Sequence, residues 1–328
     1  MKILLTGGSG FIGSYVLRFL VEAGYHVNVL VRDPSKLLVN NNRLIKVFHG
    51  NINSIESVNK PIEGCDTVIH LAALVSSTAQ NQSDFYESNL HGTRNLLIAS
   101  EKHEVKKFVF TSSLSAHSFI NNKIINEESL IEPDKYFSSY AESKSRAEKL
   151  VMEYSKRGLS YIIIYPARVF GIGPLTDSNG AAKAISLYLK NRLPFLIDRG
   201  EQYASWTFVE DAARGIISAA VGSLNNEIFI LGGENRTLAE VYKIADLITV
   251  KKHLKINLKS KTALSLASLL KLKAKLTKSP PLITREWLEF ILESQKFSSE
   301  KAMTKLNYKI TPLYQALEKT IAWLKTLQ

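Results

Sequence analysis

The chain has 328 residues, 45% of them hydrophobic and 22% charged, with 42 Lys and Arg against 30 Asp and Glu and a formal net charge of +12. This length can bury a full core, and the Ile, Leu and aromatic residues spread along it exclude a disordered chain. The single cysteine, Cys65, excludes a disulfide framework or a thiolate metal cluster and fits a reducing compartment.

Met1 and Lys2 precede only three apolar residues before glycines arrive, so no signal-peptide core develops. No run approaches the roughly 18 apolar residues of a membrane span. We therefore expect a soluble, cytoplasmic protein without stable membrane insertion. The first half alternates strand and helix patterns. Strands are predicted at 2–6, 27–31, 44–48, 67–71, 107–111 and 159–165, the last ended by Pro166. Helices are predicted at 11–23, 89–102 and 140–156. Near-continuous apolar strands separated by helices imply an α/β fold, a parallel sheet covered on both faces. After Pro166 the rhythm breaks, and helices at 238–249, 263–276, 285–293 and 313–327 dominate. The expected division is a dinucleotide-binding Rossmann domain at 1–170, with 207–231 returning to it. The remainder of 171–328 would be mainly a smaller, mostly helical substrate-binding domain. Within it, 251–278 carries nine lysines and no Asp or Glu, read here as a solvated helical face.

ThrGlyGlySerGlyPheIleGly at 6–13 follows a predicted strand and opens a predicted helix. Gly7, Gly10 and Gly13 form a variant of the dinucleotide fingerprint. Glycine there permits a tight turn, close approach of a pyrophosphate and close helix–strand packing. Phe11 and Ile12 start a helix whose free N–H groups suit phosphate. About 20 residues on, the second strand ends at Arg32, with Asp33 and Lys36 following. An acid there would take the ribose hydroxyl of NAD, whereas a guanidinium matches the 2′-phosphate of NADP. This favours NADP, with NAD possible. The open alternative is that Arg32 stacks on adenine while Asp33 takes the ribose.

Tyr140 and Lys144 stand four residues apart at the start of a helix and so share a face. A free phenol titrates near 10, too high for a base at neutrality, and a fixed ammonium would lower it. Thr111, Ser112 and Ser113 close the strand at 107–111 and offer a hydroxyl donor at the carboxyl edge of the sheet.

Together these segments resemble the extended short-chain dehydrogenase/reductase superfamily (the NAD-dependent epimerase/dehydratase family). Further fragments carry the likeness: DTVIHLAA at 66–73, the NLHGT helix at 89–93, FVFTSS at 108–113, YPARVFGIGP at 165–174 and TFVEDAARG at 207–215. VRDPSK at 31–36 is similar to the dihydroflavonol-reductase and 3β-hydroxysteroid-dehydrogenase-like branches. The resemblance implies a seven-stranded doubly wound sheet and hydride transfer at nicotinamide. It makes Tyr140 the acid/base, Lys144 its pKa modifier and ribose ligand, and Ser113 the holder of the substrate oxygen. It also places Asn51, Ile52, Leu71, Ala72, Ala73, Thr111, Pro166 and Val169 along the cofactor. Two grips that the resemblance would imply for nucleotide-sugar epimerases and dehydratases are missing: Arg168 stands at their asparagine position and Ala204 at their arginine position.

The expected function is therefore an NADP(H)-dependent oxidoreductase that interconverts a ketone and a secondary alcohol. The alternative is an NAD-dependent nucleotide-sugar epimerase or dehydratase. Partners are a small-molecule substrate and at most a second copy of the chain, a monomer or homodimer. No metal and no nucleic acid are expected. His70, at a strand end, is read as structural.

Overall fold

The computed structural model describes residues 1–39, 41–75, 81–119, 123–192, 194–277, 288 and 292–327. The strands in chain order are β1 (Lys2–Thr6), β2 (His26–Val31), β3 (Ile45–His49), β4 (Thr67–His70), β5 (Lys107–Thr111), β6 (Ile124–Ile125), β7 (Ser160–Pro166), β8 (Arg168–Phe170), β9 (Phe195–Ile197), β10 (Tyr203–Phe208), β11 (Glu227–Leu231), β12 (Glu234–Thr237), β13 (Ile256–Leu258) and β14 (Lys296–Phe297). Seven of them form one sheet in the order β11-β7-β5-β4-β1-β2-β3, with every neighbouring pair parallel. The order reverses at β1. That reversal opens a crevice outside the carboxyl ends of β1 and β4, where doubly wound sheets bind ligands.

Alternation along the strands divides the core. Ile3 and Leu5 of β1 and Ile162 and Ile164 of β7 join one apolar cluster, while Leu4, Ile163 and Tyr165 join another on the opposite face. All seven are completely buried. The first face is covered by helices α1 (Phe11–Glu22) and, later in the chain, Val209–Val221. The second is covered by α2 (Ile55–Ile62), Gly92–Lys102 and Ser139–Tyr154. Apolar side chains pointing both ways make these strands read as continuous hydrophobic runs.

The helix expected from 89 begins earlier. Ser83–Phe85 leads into a π-helical stretch, Tyr86–His91, which continues as Gly92–Lys102. The helix expected at 263–276 runs over Ser260–Thr277, and that at 285–293 lies mostly outside the described residues. Beyond Pro166 the chain is less helical than its composition suggests. β8, β10 and β12 form a three-stranded sheet, and β13 pairs with β9. β8 follows β7 after one residue and β12 follows β11 after two, so this small sheet departs from the carboxyl edge of the large one. No helix among the described residues is long and apolar enough to cross a membrane.

Candidate active site

The glycine loop is fixed by its own backbone. Gly7 adopts φ +78, and its carbonyl accepts from the Gly10 N–H at 2.9 Å. A Cβ on Gly7 would lie 2.6 Å from the Ala72 nitrogen, and one on Gly13 only 2.0 Å from the Gly7 carbonyl oxygen. The loop thus packs on the exit of β4, where Leu71, Ala72 and Ala73 follow. Gly10 caps α1 without a side-chain acceptor, which leaves the first N–H groups, those around Phe11 and Ile12, free for an anion.

Arg32 is exposed and makes no ion pair or hydrogen bond among the described residues. Asp33 is bonded locally. Its carboxylate accepts from Ser35 Oγ at 2.6 Å and Ser35 N at 3.1 Å, and Lys36 Nζ stands 3.6 Å off. Those Ser35 hydrogen bonds lower its pKa. The acid caps the turn Pro34–Lys36 through its Oδ1. Asn51 is likewise spent locally, its Oδ1 accepting from Asn53 N at 3.2 Å. Ile52 is buried, and a Cβ on Gly92 would meet its side chain at 2.7 Å.

Tyr140 and Lys144 lie on α3, our label for Ser139–Tyr154, which Ser138 caps by accepting from Ala141 N at 3.1 Å. The Lys144 ammonium donates to the Thr111 carbonyl at 2.6 Å and lies 4.1 Å from the Phe110 ring centroid. Burial pulls its pKa down to about 7, partly offset by the negative charge of Glu148. Burial raises the Tyr140 phenol, and a hydrogen bond from Ser113 is what pulls it back. The ammonium of Lys144 is held at the end of β5 by the Thr111 carbonyl. Ser113 caps the turn Leu114–Ala116, with Ser115 Oγ at 2.8 Å.

Two hydrogen-bond networks hold this edge, and the sequence reading found neither. In one, Thr93 donates to the Asn89 carbonyl at 2.6 Å, so His70 Nε2 donates to Thr93 Oγ1 at 2.9 Å and Nδ1 accepts from Thr6 Oγ1 at 2.7 Å. Burial drives His70 down to about 3, so it is a neutral structural residue. Asn89 continues the chain, donating to Leu74 O at 3.1 Å and Ser143 Oγ at 3.0 Å. Ser143 then donates to Tyr140 O at 2.7 Å. The end of β1 is thereby tied to the turn of α3 that carries the phenol. In the other network, buried Glu148 accepts from Ser112 Oγ at 2.7 Å, from His117 Nε2 at 3.1 Å and from the Tyr165 hydroxyl. Its only sequence signal was its position four residues after Lys144, on the same helical face.

These residues fit a dinucleotide. The cradle at Gly7 and Gly13 has no room for a side chain. Thr111 Oγ1 and Asn53 Oδ1, one at the end of β5 and one beyond β3, are buried without a hydrogen-bond partner among the described residues. Pro166 and Val169 flank the β7–β8 junction, one strand over from Thr111, since Ser112 N bonds Ile164 O at 2.8 Å.

A doubly wound sheet with a glycine cradle at its switch point and Ser, Tyr and Lys along its carboxyl edge defines an NAD(P)-dependent enzyme of the extended short-chain dehydrogenase/reductase type. The chain belongs to the NAD dependent epimerase/dehydratase family, whose model matches residues 3–232. It is 28% identical over 322 residues to the "Sterol-4-alpha-carboxylate 3-dehydrogenase, decarboxylating" of Dictyostelium discoideum, covering 94% of this chain and 95% of that one. It is 29% identical over 226 residues to the "3 beta-hydroxysteroid dehydrogenase/Delta 5-->4-isomerase" of Mycobacterium tuberculosis, covering 67% of this chain and 60% of that one. The crystal structure of UDP-glucose 4-epimerase from Thermotoga maritima with UDP-glucose superposes with a TM-score of 0.81 at 25% identity, covering 100% of both chains.

Proposed function

We propose that this protein is an NADP(H)-dependent oxidoreductase interconverting a ketone and a secondary alcohol. The carrying observation is the pair Arg32 and Asp33: a guanidinium at the end of β2 without a partner among the described residues, beside a carboxylate whose Oδ1 accepts from Ser35. That arrangement suits a 2′-phosphate. Gly7, Gly10 and Gly13 with the N–H groups at Phe11 and Ile12 would hold the pyrophosphate. Ile52, Leu71, Ala72 and Ala73 would line the adenine side, with Lys36 and Asn51 near it. Thr111, Pro166 and Val169 would flank the nicotinamide. When bound, the cofactor supplies or accepts the hydride.

The chain's own groups handle the proton. Ser113 would donate a hydrogen bond to the substrate oxygen, and Tyr140 would give its phenolic proton to that oxygen on reduction or remove it on oxidation. Lys144, fixed between Thr111 and Phe110, would present positive charge to the phenolate and a donor to the ribose. The relatives in Dictyostelium and Mycobacterium, named a 3-dehydrogenase and a 3 beta-hydroxysteroid dehydrogenase/Delta 5-->4-isomerase, support an oxidoreductase.

The second reading, an NAD-dependent nucleotide-sugar epimerase, is favoured by the full-length likeness to the Thermotoga epimerase. Against it stands Ala204, buried within β10. Arg236, opposite it in register, is committed to Glu234 and Glu240. A diphosphate needs strong donors to offset its desolvation. The test is a panel of ketones beside UDP-, dTDP- and GDP-sugars, followed by NADPH absorbance. Steady net oxidation with a ketone supports the oxidoreductase; nucleotide-sugar interconversion without net oxidation promotes the second reading.

A further inference from the structure

Arg168 opens β8, two residues past Pro166. At no more than ~3.6 Å per residue its Cα lies within about 7 Å of that of Pro166. It therefore stands at the same carboxyl edge as Ser113. In register it sits beside Trp206 of β10, and its guanidinium lies 5.4 Å from the Trp206 ring centroid. Trp206 itself is fixed, 3% exposed, donating from Nε1 to Arg236 O at 2.9 Å and packed edge-on to Phe170.

Arg168 is half-buried, yet no hydrogen bond or ion pair to it exists among the described residues. Its nitrogens are not among the sealed, unpartnered atoms of the described residues, so each keeps some accessible surface. The described acid in register with it across β10 is taken. Glu234, across β10 from it, accepts from Leu313 N at 2.8 Å and pairs with Arg236. Burial lowers the guanidinium to about 10 with no carboxylate opposing the shift. A cation left half-desolvated and uncompensated is costly. The guanidinium is within cation–π reach of the indole, and such a fork matches a carboxylate or a phosphate bidentately.

We propose that Arg168 is an anion subsite, and that the substrate carries one carboxylate or phosphate group in addition to the carbonyl or alcohol being turned over. One unpaired cation suits a single anionic group, not a diphosphate. This deepens the oxidoreductase reading and rests on it for the word substrate, but the subsite can be tested alone.

The experiment uses the full chain saturated with NADP⁺, so that cofactor phosphate sites are filled. Melting temperature is measured with inorganic phosphate, acetate or chloride at matched ionic strength, for wild type, Arg168→Met and Arg168→Lys. Wild type should be stabilised by phosphate or acetate beyond chloride, and whichever acts identifies the anion. Arg168→Met should weaken that anion's binding roughly 10–150-fold, the worth of a charge-assisted hydrogen bond. Arg168→Lys should retain part of it. Arg168→Met should also melt no lower than wild type without anion, since it removes an uncompensated charge. An anion shift that survives in Arg168→Met, or its absence from wild type, overturns the subsite. A parallel assay with NADPH compares 4-oxopentanoate with its methyl ester. An Arg168-dependent anion shift without NADPH oxidation by any ketone keeps the subsite and removes the oxidoreductase reading. Equal turnover of acid and ester, unchanged in Arg168→Met, removes the subsite and keeps the reading.

Discussion

The ammonium of Lys144 donates to the main-chain carbonyl of Thr111 over 2.6 Å, which ties the middle of α3 to the last residue of β5. The charge is thus held at the sheet edge by a neutral acceptor and the Phe110 ring, with Glu148 the carboxylate that acts on it.

A pH dependence follows from that burial. The pKa of Lys144 falls from the usual lysine value near 10.5 to about 7 on folding. Between those values the unfolded chain binds a proton that the native chain has released, so stability rises with pH across this window. Below about pH 7 the cost of burying the charged form is fully present. Denaturant unfolding of protein without added cofactor, at pH 7 and pH 10, should show this rise for wild type. Lys144→Met should flatten it. Parallel curves for the two proteins would contradict the assignment.

Cofactor choice rests on Arg32. NADP(H) should bind roughly 10–150-fold more tightly than NAD(H), from one charge-assisted contact to the 2′-phosphate. Calorimetry on wild type and Arg32→Ala measures it. The substitution should remove the preference while leaving NAD(H) affinity nearly unchanged. Equal affinities in wild type would return the ribose to Asp33.

The cradle makes a steric prediction. Gly13→Ala would place a methyl 2.0 Å from the Gly7 carbonyl oxygen. Overpacking against backbone should destabilise by about 1–3 kcal/mol and abolish dinucleotide binding. Gly180, whose added Cβ would meet nothing within 4 Å, is the control. Gly180→Ala should be tolerated. Melting curves and calorimetry with NADP(H) check both, and a Gly13→Ala protein that binds cofactor normally would refute the cradle.

Local patterns made much of this legible. Gly7, Gly10 and Gly13 follow an apolar run directly, and Tyr140 and Lys144 are one helical turn apart, so short spacing carried both signals. Burial on both faces made β1, β4, β5 and β7 readable as continuous apolar runs. What escaped depends on contacts between distant residues. Asn89 and Ser143 are 54 positions apart, and Ser112 and Glu148 are 36 apart. β8 has three residues, too few to show a period, and its Arg168 acquires meaning only beside Trp206 of β10. The direction of Lys144 also escaped. Helical spacing puts it on the face of Tyr140, but the carbonyl of Thr111 captures the ammonium.

The most direct measurement of the central claim is isotope transfer. Protein, NADPH deuterated at the transferring C4 position and a ketone found in the absorbance panel are incubated together, and the alcohol is analysed by mass spectrometry and NMR. The account predicts one deuterium on the carbinol carbon for each NADPH consumed. Tyr140→Phe should lower the rate about 10²–10⁴-fold, the usual cost of losing a positioned acid/base, with NADP(H) affinity kept. Epimerisation of a nucleotide sugar with no net NADPH consumption, or a Tyr140→Phe enzyme retaining more than about a tenth of the rate, would contradict it.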